Sequence, residues 1–514
     1  MYLQIANSLI THIRQGVLKP GSSLPGSRPL SEMLHVHRKT VVAAYDELDA
    51  QSWVDVYPRK GIFVARALPE VSPRRFISSG VGAAGSIGGA GDKAGGMVGD
   101  KVVGVAGGQH GGAWNGERMG ASYPEKTLFK VEELKMAFAS PFLSSPPGHL
   151  VFNDGFPDTR LAPVDLLVRE YRRFGNYHFT SKYLSYGPEQ GSENLRSEIA
   201  RFLGETRGLQ VNAETILITK GAQMALYLCA QVLLSKNDLV IVGEPGYTGA
   251  NEVFAQAGGK VMGIPVDENG LDVRVLEGIC KKRKVRIVYV IPHHHNPTTV
   301  TLSPERRMRL LELARKYKFA IIEDDYDYDF HYSSGPILPL ASGDHTGNVI
   351  YIGSLCKIIA PGIRIGFMVA PRNLIVQATR LRKIIDRQGE QLLEEAIATL
   401  LKNGDIGRHL KKTNKIYHER RDLLCKLLQE RMSAWLSFKA PDGGFAVWAN
   451  YLKGLEPSVV AEKAARLGLT VSRGEQYYQD AMHPNTGVRL GFASLNAREM
   501  EEAVGILAKA CSLV

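Results

Sequence analysis

The chain has 514 residues, of which 44% are hydrophobic and 22% charged, and a formal net charge of +11. This length exceeds what one hydrophobic core supports, so we expect at least two domains. The sequence has no apolar run of about eighteen residues and no secretory layout at its start, which predicts a cytoplasmic protein without a membrane span. Its basic charge favours a polyanionic partner, although many basic proteins bind no nucleic acid. The 5 scattered cysteines argue against a disulfide framework and a structural zinc site.

The first fifty or so residues show the pattern of three helices. Apolar residues recur at helical spacing and form one stripe, which comprises Tyr2, Ile5, Ala6, Leu9, Ile10 and Ile13. Gly16 and Pro20 end this first helix, and Ser27 is placed to cap a second, short one. A third helix is predicted to begin at Arg38, with Val41, Ala44, Tyr45 and Leu48 facing inward.

Basic residues concentrate at two exposed points of this region. Arg38, Lys39 and Thr40 lie at the start of the third helix, the part of a recognition helix that meets base edges or phosphates. Arg59 and Lys60 form the tip of a hairpin predicted between residues 54–56 and 62–64, a wing that can contact phosphates or a minor groove. The alternative is a helical docking module whose basic residues are merely solvated.

This region resembles the winged helix-turn-helix of the GntR family, over the stretch LKPGSSLPGSRPLSEMLHVHRKTVVAAYDELDAQSWVDVYPRKGIFV. The resemblance implies a DNA-binding domain at residues 1–72, whose contacts to double-stranded DNA would come from Arg28, Arg38, Lys39, Thr40, Arg59 and Lys60. Two positions depart from the family. Gly26 stands where a serine is usual, and His37 replaces the serine before the recognition-helix arginine. We expect both to weaken helix capping or to alter a phosphate contact.

Glycine dominates the next segment. Between Gly80 and Gly120 glycines are frequent and large apolar side chains are few, so burial cannot offset the entropy of ordering this stretch. We therefore predict a flexible linker over residues 73–145, with an ordered glycine-rich cap as the alternative.

Five short apolar runs, rich in branched residues, follow from residue 146 to the C-terminus. They are Ile216–Ile218, Leu239–Val242, Ile287–Ile291, Ala320–Ile322 and Val349–Ile352, and helical patterns separate them. This arrangement predicts an α/β domain over residues 146–514, with buried strands in a mostly parallel sheet covered by helices. Ligands of such sheets bind beyond the carboxyl ends of the strands, so the loops that follow each run are the candidate site.

The first three loops carry residues that could bind a phosphate, stack on an aromatic ring or donate a hydrogen bond to a ligand. Gly221, Ala222 and Gln223 open a helix whose N-terminus can bind a phosphate, although such glycines often serve packing alone. Tyr247 can lie against an aromatic ring, but a loop tyrosine is more often a packing residue. The adjacent His293, His294 and His295 suggest a metal site, which we do not favour because neighbours in an extended chain point to opposite faces. Asn296, held by the following proline, can donate to a phenolate oxygen.

The last two loops carry acidic and basic groups. The run Glu323–Asp327 directly follows a strand, so at least one carboxylate lies at the ligand edge of the sheet and needs a cationic partner. Lys357 is flanked by Cys356 and two isoleucines, and a partly desolvated amine can form a Schiff base with an aldehyde. Ser354 and Arg364 carry donors that suit a phosphate. Together these groups describe a pocket for pyridoxal 5′-phosphate (PLP).

The order of the loops resembles fold type I aminotransferases, and the strings YGPEQGSENLRSEIARFLGETRG, EPGYTGA, ERRMRLLELARKYKFAIIEDDYDYDF and VIYIGSLCKIIAPGIRIGF resemble the MocR subgroup of GntR regulators. The resemblance implies a large domain at about 180–400 and a small one at about 401–514. It also implies Lys357 as the Schiff-base lysine, Asp324 beside the pyridine nitrogen, Tyr326 and Asn296 near the phenolate, and Arg489 for a substrate carboxylate. His295, Thr299 and Cys356 depart from the family pattern.

This resemblance implies a cytoplasmic homodimer that binds paired half-sites of an operator and responds to PLP or to its adduct with an amino compound. Two alternatives stay open. The chain is a working aminotransferase that carries a DNA-binding domain, or a DNA-binding protein whose second domain has lost its cofactor and serves only dimerisation.

Overall fold

The computed structural model describes residues 2–57, 60–66, 68, 126–127, 129–131, 145–175, 180–332, 335, 337–343, 345–479 and 485–514. The chain divides into two compact units, Met1–Tyr123 and Pro124–Val514. Most of the predicted linker lies outside the described residues, so the boundaries at 72 and 145 stay predictions. Among the helices described, none has the length and apolar character that crossing a membrane requires.

The first unit is a small three-helix domain with a three-stranded sheet. Its elements are α1 (Tyr2–Arg14), β1 (Ser23–Leu24), α2 (Ser27–Met33), α3 (Arg38–Ala50), β2 (Val54–Tyr57) and β3 (Gly61–Val64). The three helices and the hairpin confirm the sequence prediction, while the short β1 that pairs with β3 was not foreseen. The core joins the stripe of α1 to the inward face of α3, through Ala6, Ile10, Ile13, Val41, Ala44, Tyr45 and Leu48.

The caps of α2 and α3 differ from the prediction. The N-cap of α2 is Gly26, with no side-chain cap, and Ser27 is already helical, so the prediction that Ser27 caps this helix is wrong. The Ser27 hydroxyl instead accepts a hydrogen bond of 3.2 Å from Arg38 Nε. His37 does cap α3, because its Nδ1 accepts from the Lys39 amide at 3.2 Å. Only the departure at Gly26 leaves its helix without a side-chain cap.

The second unit is a larger α/β body. Its elements are β4 (Leu150–Val151), α4 (Val164–Gly175), α5 (Thr180–Leu184), α6 (Glu193–Arg207), β5 (Ile216–Thr219), α7 (Ala222–Leu233), β6 (Leu239–Glu244), α8 (Thr248–Gln256), β7 (Lys260–Asp267), β8 (Gly270–Leu271), α9 (Val273–Cys280), β9 (Val285–Val290), α10 (Pro304–Tyr317), β10 (Ala320–Asp325), β11 (Val349–Ser354), β12 (Gly366–Val369), α11 (Arg372–Ile385), α12 (Gln391–Lys402), α13 (Asp405–Met432), β13 (Leu436–Phe438), β14 (Ala446–Tyr451), α14 (Pro457–Arg466), β15 (Leu469–Thr470), β16 (Gly487–Gly491) and α15 (Ala497–Ser512).

An 8-stranded sheet of order β5-β12-β11-β10-β9-β6-β7-β8 forms the centre of this unit. The pairs from β11 through β10, β9 and β6 to β7 are parallel, which confirms the predicted mostly parallel sheet. Between β11 and β5 lies the antiparallel β12, so β5 runs in the same direction as β11. The carboxyl ends of β5, β6, β9, β10 and β11 therefore share one edge. The five predicted strands are all present, whereas β7, β8 and β12 were not predicted.

A second, antiparallel sheet of order β13-β14-β16 follows near the C-terminus. Its apolar residues join a core with α13, α14 and α15, to which Leu424, Val447, Val460, Leu490 and Val504 contribute. The first strand of the unit, β4, pairs in parallel with β15. The segment that follows β4 lies beside the second sheet, because the Gly491 amide of β16 donates to the Asn153 carbonyl at 2.9 Å. Both reach the ligand edge of the large sheet, where Arg489 of β16 donates to the Tyr326 hydroxyl.

Candidate functional site

Strand register brings the predicted loops to one edge. Ser354 at the end of β11 pairs with Gly366 of β12, which pairs in turn with Thr219 at the end of β5. Asp324 near the end of β10 pairs with Ile352 of β11. The loops after these strands therefore start side by side along one edge of the sheet, where ligands of such sheets bind.

The turn between β5 and α7 is closely packed against Arg364. Gly221 is the N-cap of α7, with φ 77°, and a Cβ atom there would lie 2.8 Å from Arg364 Nη2. Arg364 Nη2 donates to the Lys220 carbonyl at 2.8 Å, and Ser354 Oγ accepts from the Cys356 amide at 3.2 Å. A helix N-terminus, a guanidinium and a hydroxyl thus meet where only glycine leaves room, which makes this part of the pocket suited to an anion.

Tyr247 and Gln223 link the first two loops. Tyr247 is the N-cap residue of α8, and its hydroxyl donates to Gln223 Oε1 at 3.3 Å. Gln223 Nε2 in turn donates to the Gly249 carbonyl at 3.1 Å. Burial, together with the negative charge of Asp324, raises the pKa of Tyr247, so its ring stays a neutral surface beside the strand ends.

Asp324 has one carboxylate oxygen without a partner. It is only 4% exposed, its Oδ2 accepts a 2.8 Å hydrogen bond from Tyr289, and its Oδ1 is buried without a hydrogen-bond partner. Burial raises its pKa to about 7, against the hydrogen bond of Tyr289, which lowers it. Such a carboxylate is stabilised by a cationic or N–H donor, so the site fits the protonated nitrogen of a pyridine ring.

Alternation along β10 decides which aspartate faces this pocket. Asp325 points to the opposite face of the sheet, where it accepts from Tyr351 at 2.7 Å and contacts His293 at 3.0 Å. Because successive strand residues face opposite sides, Asp324 shares its face with Tyr289 and Ile322. The position of the acidic run alone left open which carboxylate lies at the ligand edge, and the family resemblance implied Asp324. In the structure Asp324 lies on the face of Tyr289, with which it forms a hydrogen bond.

Lys357 extends across the same edge. Its Nζ donates to the Gly155 carbonyl at 3.0 Å and lies 4.7 Å from the ring centroid of Phe156 and 5.9 Å from that of Tyr326. Burial lowers its pKa to about 8, Asp154 opposes this shift, and the charge of Arg489 adds to it. About a tenth of the amine is therefore unprotonated at pH 7, far more than for an ordinary lysine, and the unprotonated amine is the form that attacks an aldehyde.

Arg489, Tyr326 and Asn296 form one hydrogen-bonded group. Arg489, 1% exposed on β16, donates to the Pro297 carbonyl at 2.7 Å and to the Tyr326 hydroxyl at 3.3 Å. The Tyr326 hydroxyl donates to the His294 carbonyl at 3.1 Å. Asn296 Nδ2 donates to Asp154 at 3.4 Å, and its Oδ1 is buried without a hydrogen-bond partner. The second sheet thus delivers a guanidinium to the ligand edge of the first.

The three adjacent histidines have separate partners. His293 Nδ1 contacts Asp325 at 3.0 Å, His294 Nδ1 contacts Asp327 at 2.9 Å, and His295 Nε2 lies 2.9 Å from the Pro245 carbonyl. Burial lowers the pKa of His295 to about 4, so it is neutral and donates to that carbonyl. Within the described residues no group of three or more His, Cys, Asp or Glu side chains is arranged to hold a metal ion.

Thr299, where the family has glycine, adopts φ 61°. This left-handed conformation is unfavourable for a β-branched residue and costs about 1–2 kcal/mol. The Thr299 amide donates to the His295 carbonyl at 2.6 Å, which closes the turn after Asn296. The departure therefore destabilises the turn, which this hydrogen bond still closes.

The predicted DNA-contacting residues lie on the surface of the first unit. Arg28 on α2, Arg38 and Lys39 on α3, and Lys60 before β3 are exposed, and Thr40 is partly so. Arg59 lies outside the described residues. The described basic side chains are thus accessible to a polyanion, and Arg38 is oriented by its hydrogen bond to Ser27.

Sequence reasoning missed three polar residues of the pocket. Tyr289 hydrogen-bonds Asp324, and Tyr477 donates to Asp154 Oδ1 at 2.9 Å. Tyr289 was signalled by a hydroxyl inside an otherwise aliphatic strand, and Asp154 by a carboxylate in the turn NDGFPD. Tyr477 had no local signal, because its loop reaches the site only through the packing of the second sheet.

Comparison with known proteins agrees with this geometry. Residues 158–507 match the family model "Aminotransferase class I and II", and residues 1–64 match "Bacterial regulatory proteins, gntR family". The probable rhizopine catabolism regulatory protein MocR of Rhizobium meliloti is 27% identical over 514 residues, which cover 99% of this chain and 93% of that protein. Aromatic-amino-acid aminotransferase 1 of Thermococcus litoralis is 31% identical over 69% of this chain and 86% of its own.

Among solved structures, LysN, an α-aminoadipate aminotransferase of Thermus thermophilus, superposes with a TM-score of 0.68 at 26% identity, covering 73% of this chain and 96% of that one. That enzyme was solved as a complex with N-(5′-phosphopyridoxyl)-L-leucine. The fold type I neighbours and the donor set around Asp324 and Lys357 identify PLP as the cofactor. The chain belongs to the class I and II aminotransferase family and, with its N-terminal GntR-family domain, has the domain composition of MocR-type regulators.

Proposed function

We propose that this protein is a PLP-dependent transcription regulator of the MocR type, which senses PLP or its adduct with an amino compound. The observation that carries this proposal is the joining, in one chain, of a GntR-family domain to a pocket that retains Lys357, Asp324 and Arg489. Similarity to MocR over 99% of the chain supports the same function, because it covers both units.

Our assignment of the pocket follows its chemistry. We assign the pyridine nitrogen to Asp324, the aldehyde carbon to Lys357, one face of the ring to Tyr247, and the phenolate side to Asn296 and Tyr326. The phosphate is assigned to Ser354, Arg364 and the turn Gly221–Gln223, where a guanidinium and a helix N-terminus adjoin. When bound, PLP supplies an electrophilic carbon and an electron-withdrawing ring.

The protein's own side chains would select the ligand. Burial holds the pKa of Lys357 at about 8, so this amine can give up and take back a proton near neutral pH. Arg489 offers a buried guanidinium suited to a carboxylate. Both groups lie where the two sheets of the second unit meet, so a ligand that contacts both favours the arrangement of these sheets in which both contacts are made.

DNA recognition is proposed for the first unit, through Arg28, Arg38, Lys39, Thr40, Arg59 and Lys60. A homodimer would present two such units to paired half-sites of an operator. The second unit exposes large apolar side chains that suit a subunit interface, among them Ile384 at 83%, Tyr186 at 80% and Leu184 at 70% exposure. Since it binds chromosomal DNA in this proposal, the protein acts in the cytoplasm.

An active aminotransferase is the second candidate function. It is favoured by the retained Lys357 and Arg489 and by the 31% identity to an aromatic-amino-acid aminotransferase. The two functions differ in turnover. A regulator needs only a slow or reversible reaction with its ligand, whereas an enzyme must transfer amino groups to a keto acid repeatedly.

The deciding experiment measures both properties on the PLP-loaded full chain. A panel of amino acids and amines is titrated while visible absorbance and affinity for DNA, selected by the protein from a random-sequence library, are recorded. Transfer to 2-oxoglutarate is followed in parallel. We expect ligands that alter the absorbance to change DNA affinity, with little turnover. Rapid turnover without any change in DNA binding would establish the enzyme instead.

A further inference from the structure

The carboxylate of Asp154 already contacts the guanidinium of Arg489. Asp154 Oδ1 lies 3.4 Å from Arg489 Nε, and the backbone carbonyl of Asp154 accepts from the same nitrogen at 3.3 Å. The Arg489 side chain is only 1% exposed and that of Asp154 21% exposed. The guanidinium of Arg489, which we assign to the carboxylate of a ligand, therefore already has a carboxylate of the protein beside it.

The other donors around Asp154 complete a carboxylate-binding position. Tyr477 donates its hydroxyl to Oδ1 at 2.9 Å, and Asn296 donates its side-chain amide to Oδ2 at 3.4 Å. A guanidinium, a phenol and an amide that converge on two oxygens are the donors that bind a carboxylate well. The carboxylate of Asp154 therefore occupies a site that would also bind the carboxylate of an amino acid.

The backbone holds Asp154 in this place. Asn153 Oδ1 accepts from the amides of Gly155 at 3.0 Å and Phe156 at 2.8 Å, and its Nδ2 donates to Ser494 at 2.7 Å. Gly155 has φ 85°, and a Cβ atom on it would lie 3.3 Å from Arg489 Nη2. The turn thus approaches Arg489 closely and is built to present the carboxylate.

We propose that Asp154 is a specificity-determining residue, an internal carboxylate that holds the Arg489–Asn296 position until the carboxylate of a ligand displaces it. This inference rests on the proposed function, because it concerns the ligand of the same pocket. Displacement separates Asp154 from its three donors, and this loss opposes binding. A ligand with a carboxylate therefore binds more weakly than it would if Asp154 did not occupy the site. Amines without a carboxylate leave the Asp154–Arg489 contact in place and suffer no such loss.

A different role would be direct binding of a ligand's second ammonium group by Asp154. The structure favours displacement because both oxygens of Asp154 already accept hydrogen bonds and because Arg489, Tyr477 and Asn296 surround them. An ammonium group bound there would have to share these oxygens with the Arg489 guanidinium, whose positive charge would repel it at close range.

The test uses three probes of one shape on the full chain. L-Leucine carries both groups, 4-methylpentanoate lacks the amine and 3-methylbutylamine lacks the carboxylate. Their affinities are measured by calorimetry for the wild type, Asp154→Ala, Asp154→Asn and the control Glu456→Gln, which removes an exposed carboxylate of the same unit. 4-Methylpentanoate needs no cofactor, so it is also measured on protein stripped of PLP.

We expect both Asp154 variants to bind L-leucine and 4-methylpentanoate about tenfold more tightly, with the amine and the control unchanged. Equal affinities for the two carboxylates in wild type and in the correctly folded Asn variant would overturn the proposal. Weaker binding of the amine in the variants would also overturn it and assign Asp154 to a cation. If no probe alters DNA affinity, the proposed function fails, while the 4-methylpentanoate result still decides the role of Asp154.

Discussion

The DNA-binding unit and the PLP pocket present their functional charges in opposite ways. Arg38 and Lys39 extend into solvent at the start of α3, whereas Asp324 is 4% and Arg489 1% exposed. An exposed charge interacts through water and its removal costs little, but a buried charge depends on each partner around it. Substitutions should therefore have large, specific effects in the pocket and small, graded ones in the first unit.

The largest effect is expected from Lys357→Ala. Its amine is the group that can bind the aldehyde covalently, and no other substitution removes that bond. We expect borohydride treatment to attach no cofactor to the variant, while far-ultraviolet circular dichroism stays that of the wild type. Peptide mass analysis of the wild type should find the cofactor on Lys357, with Lys453→Ala as the control. Cofactor trapped on another lysine of the variant would contradict the assignment.

The second effect concerns the pH dependence of stability in protein freed of PLP. The folded pKa of Asp324 is about 7, raised from 3.8 by burial, so between these values the folded state binds more protons than the unfolded one. The free energy of unfolding therefore falls as pH rises from about 4 to about 7, by on the order of 4 kcal/mol for this group.

We expect Asp324→Asn to remove this part of the pH dependence and to be more stable than the wild type above pH 7. Thermal unfolding from pH 5 to pH 8 measures it, with Glu456→Gln as a control that keeps the wild-type slope. A slope unchanged in Asp324→Asn would mean that the carboxylate is better solvated than its buried position indicates.

A smaller effect is expected in the DNA-binding unit. Arg38→Ala should weaken binding to a duplex selected from random sequence by about 1–3 kcal/mol and reduce the salt slope by about one phosphate contact. Fluorescence anisotropy over a salt series measures both, and Lys453→Ala on the second unit should change neither. Affinity that stays the same at every salt concentration would remove Arg38 from the interface.

The smallest effect is expected at the helix cap of the same unit. Gly26 leaves α2 without a side-chain cap, and a Cβ there meets only Pro29 Cδ at 3.6 Å, an ordinary contact. Gly26→Ser should therefore stabilise the protein by a few tenths of a kcal/mol, seen as a raised denaturant midpoint of the first unit. Gly26→Ala is the matched control, and an equal gain from both would show that the hydroxyl makes no cap.

Patterns local in sequence predicted much of this molecule. The stripe of α1, the inward face of α3, the hairpin and five strands of the large sheet are all present, because periodic burial fixes such elements over a few residues. Pocket residues that directly follow those strands could be named for the same reason. By contrast β12, which aligns Thr219 with Ser354, was missed because it is a short run preceded by a loop of mixed character.

The residue sequence by itself determined the two units, the mostly parallel sheet and the group of side chains at its edge, because strand ends in such a sheet must meet. Local periodicity left open which carboxylate of the acidic run faces the pocket, and only the family resemblance named Asp324. Tertiary structure alone decided that Tyr289 donates to Asp324 and that Asp154 lies against Arg489. Those outcomes depend on which face of a strand is covered and on contacts between residues hundreds of positions apart. Local periodicity carries no information about such distances.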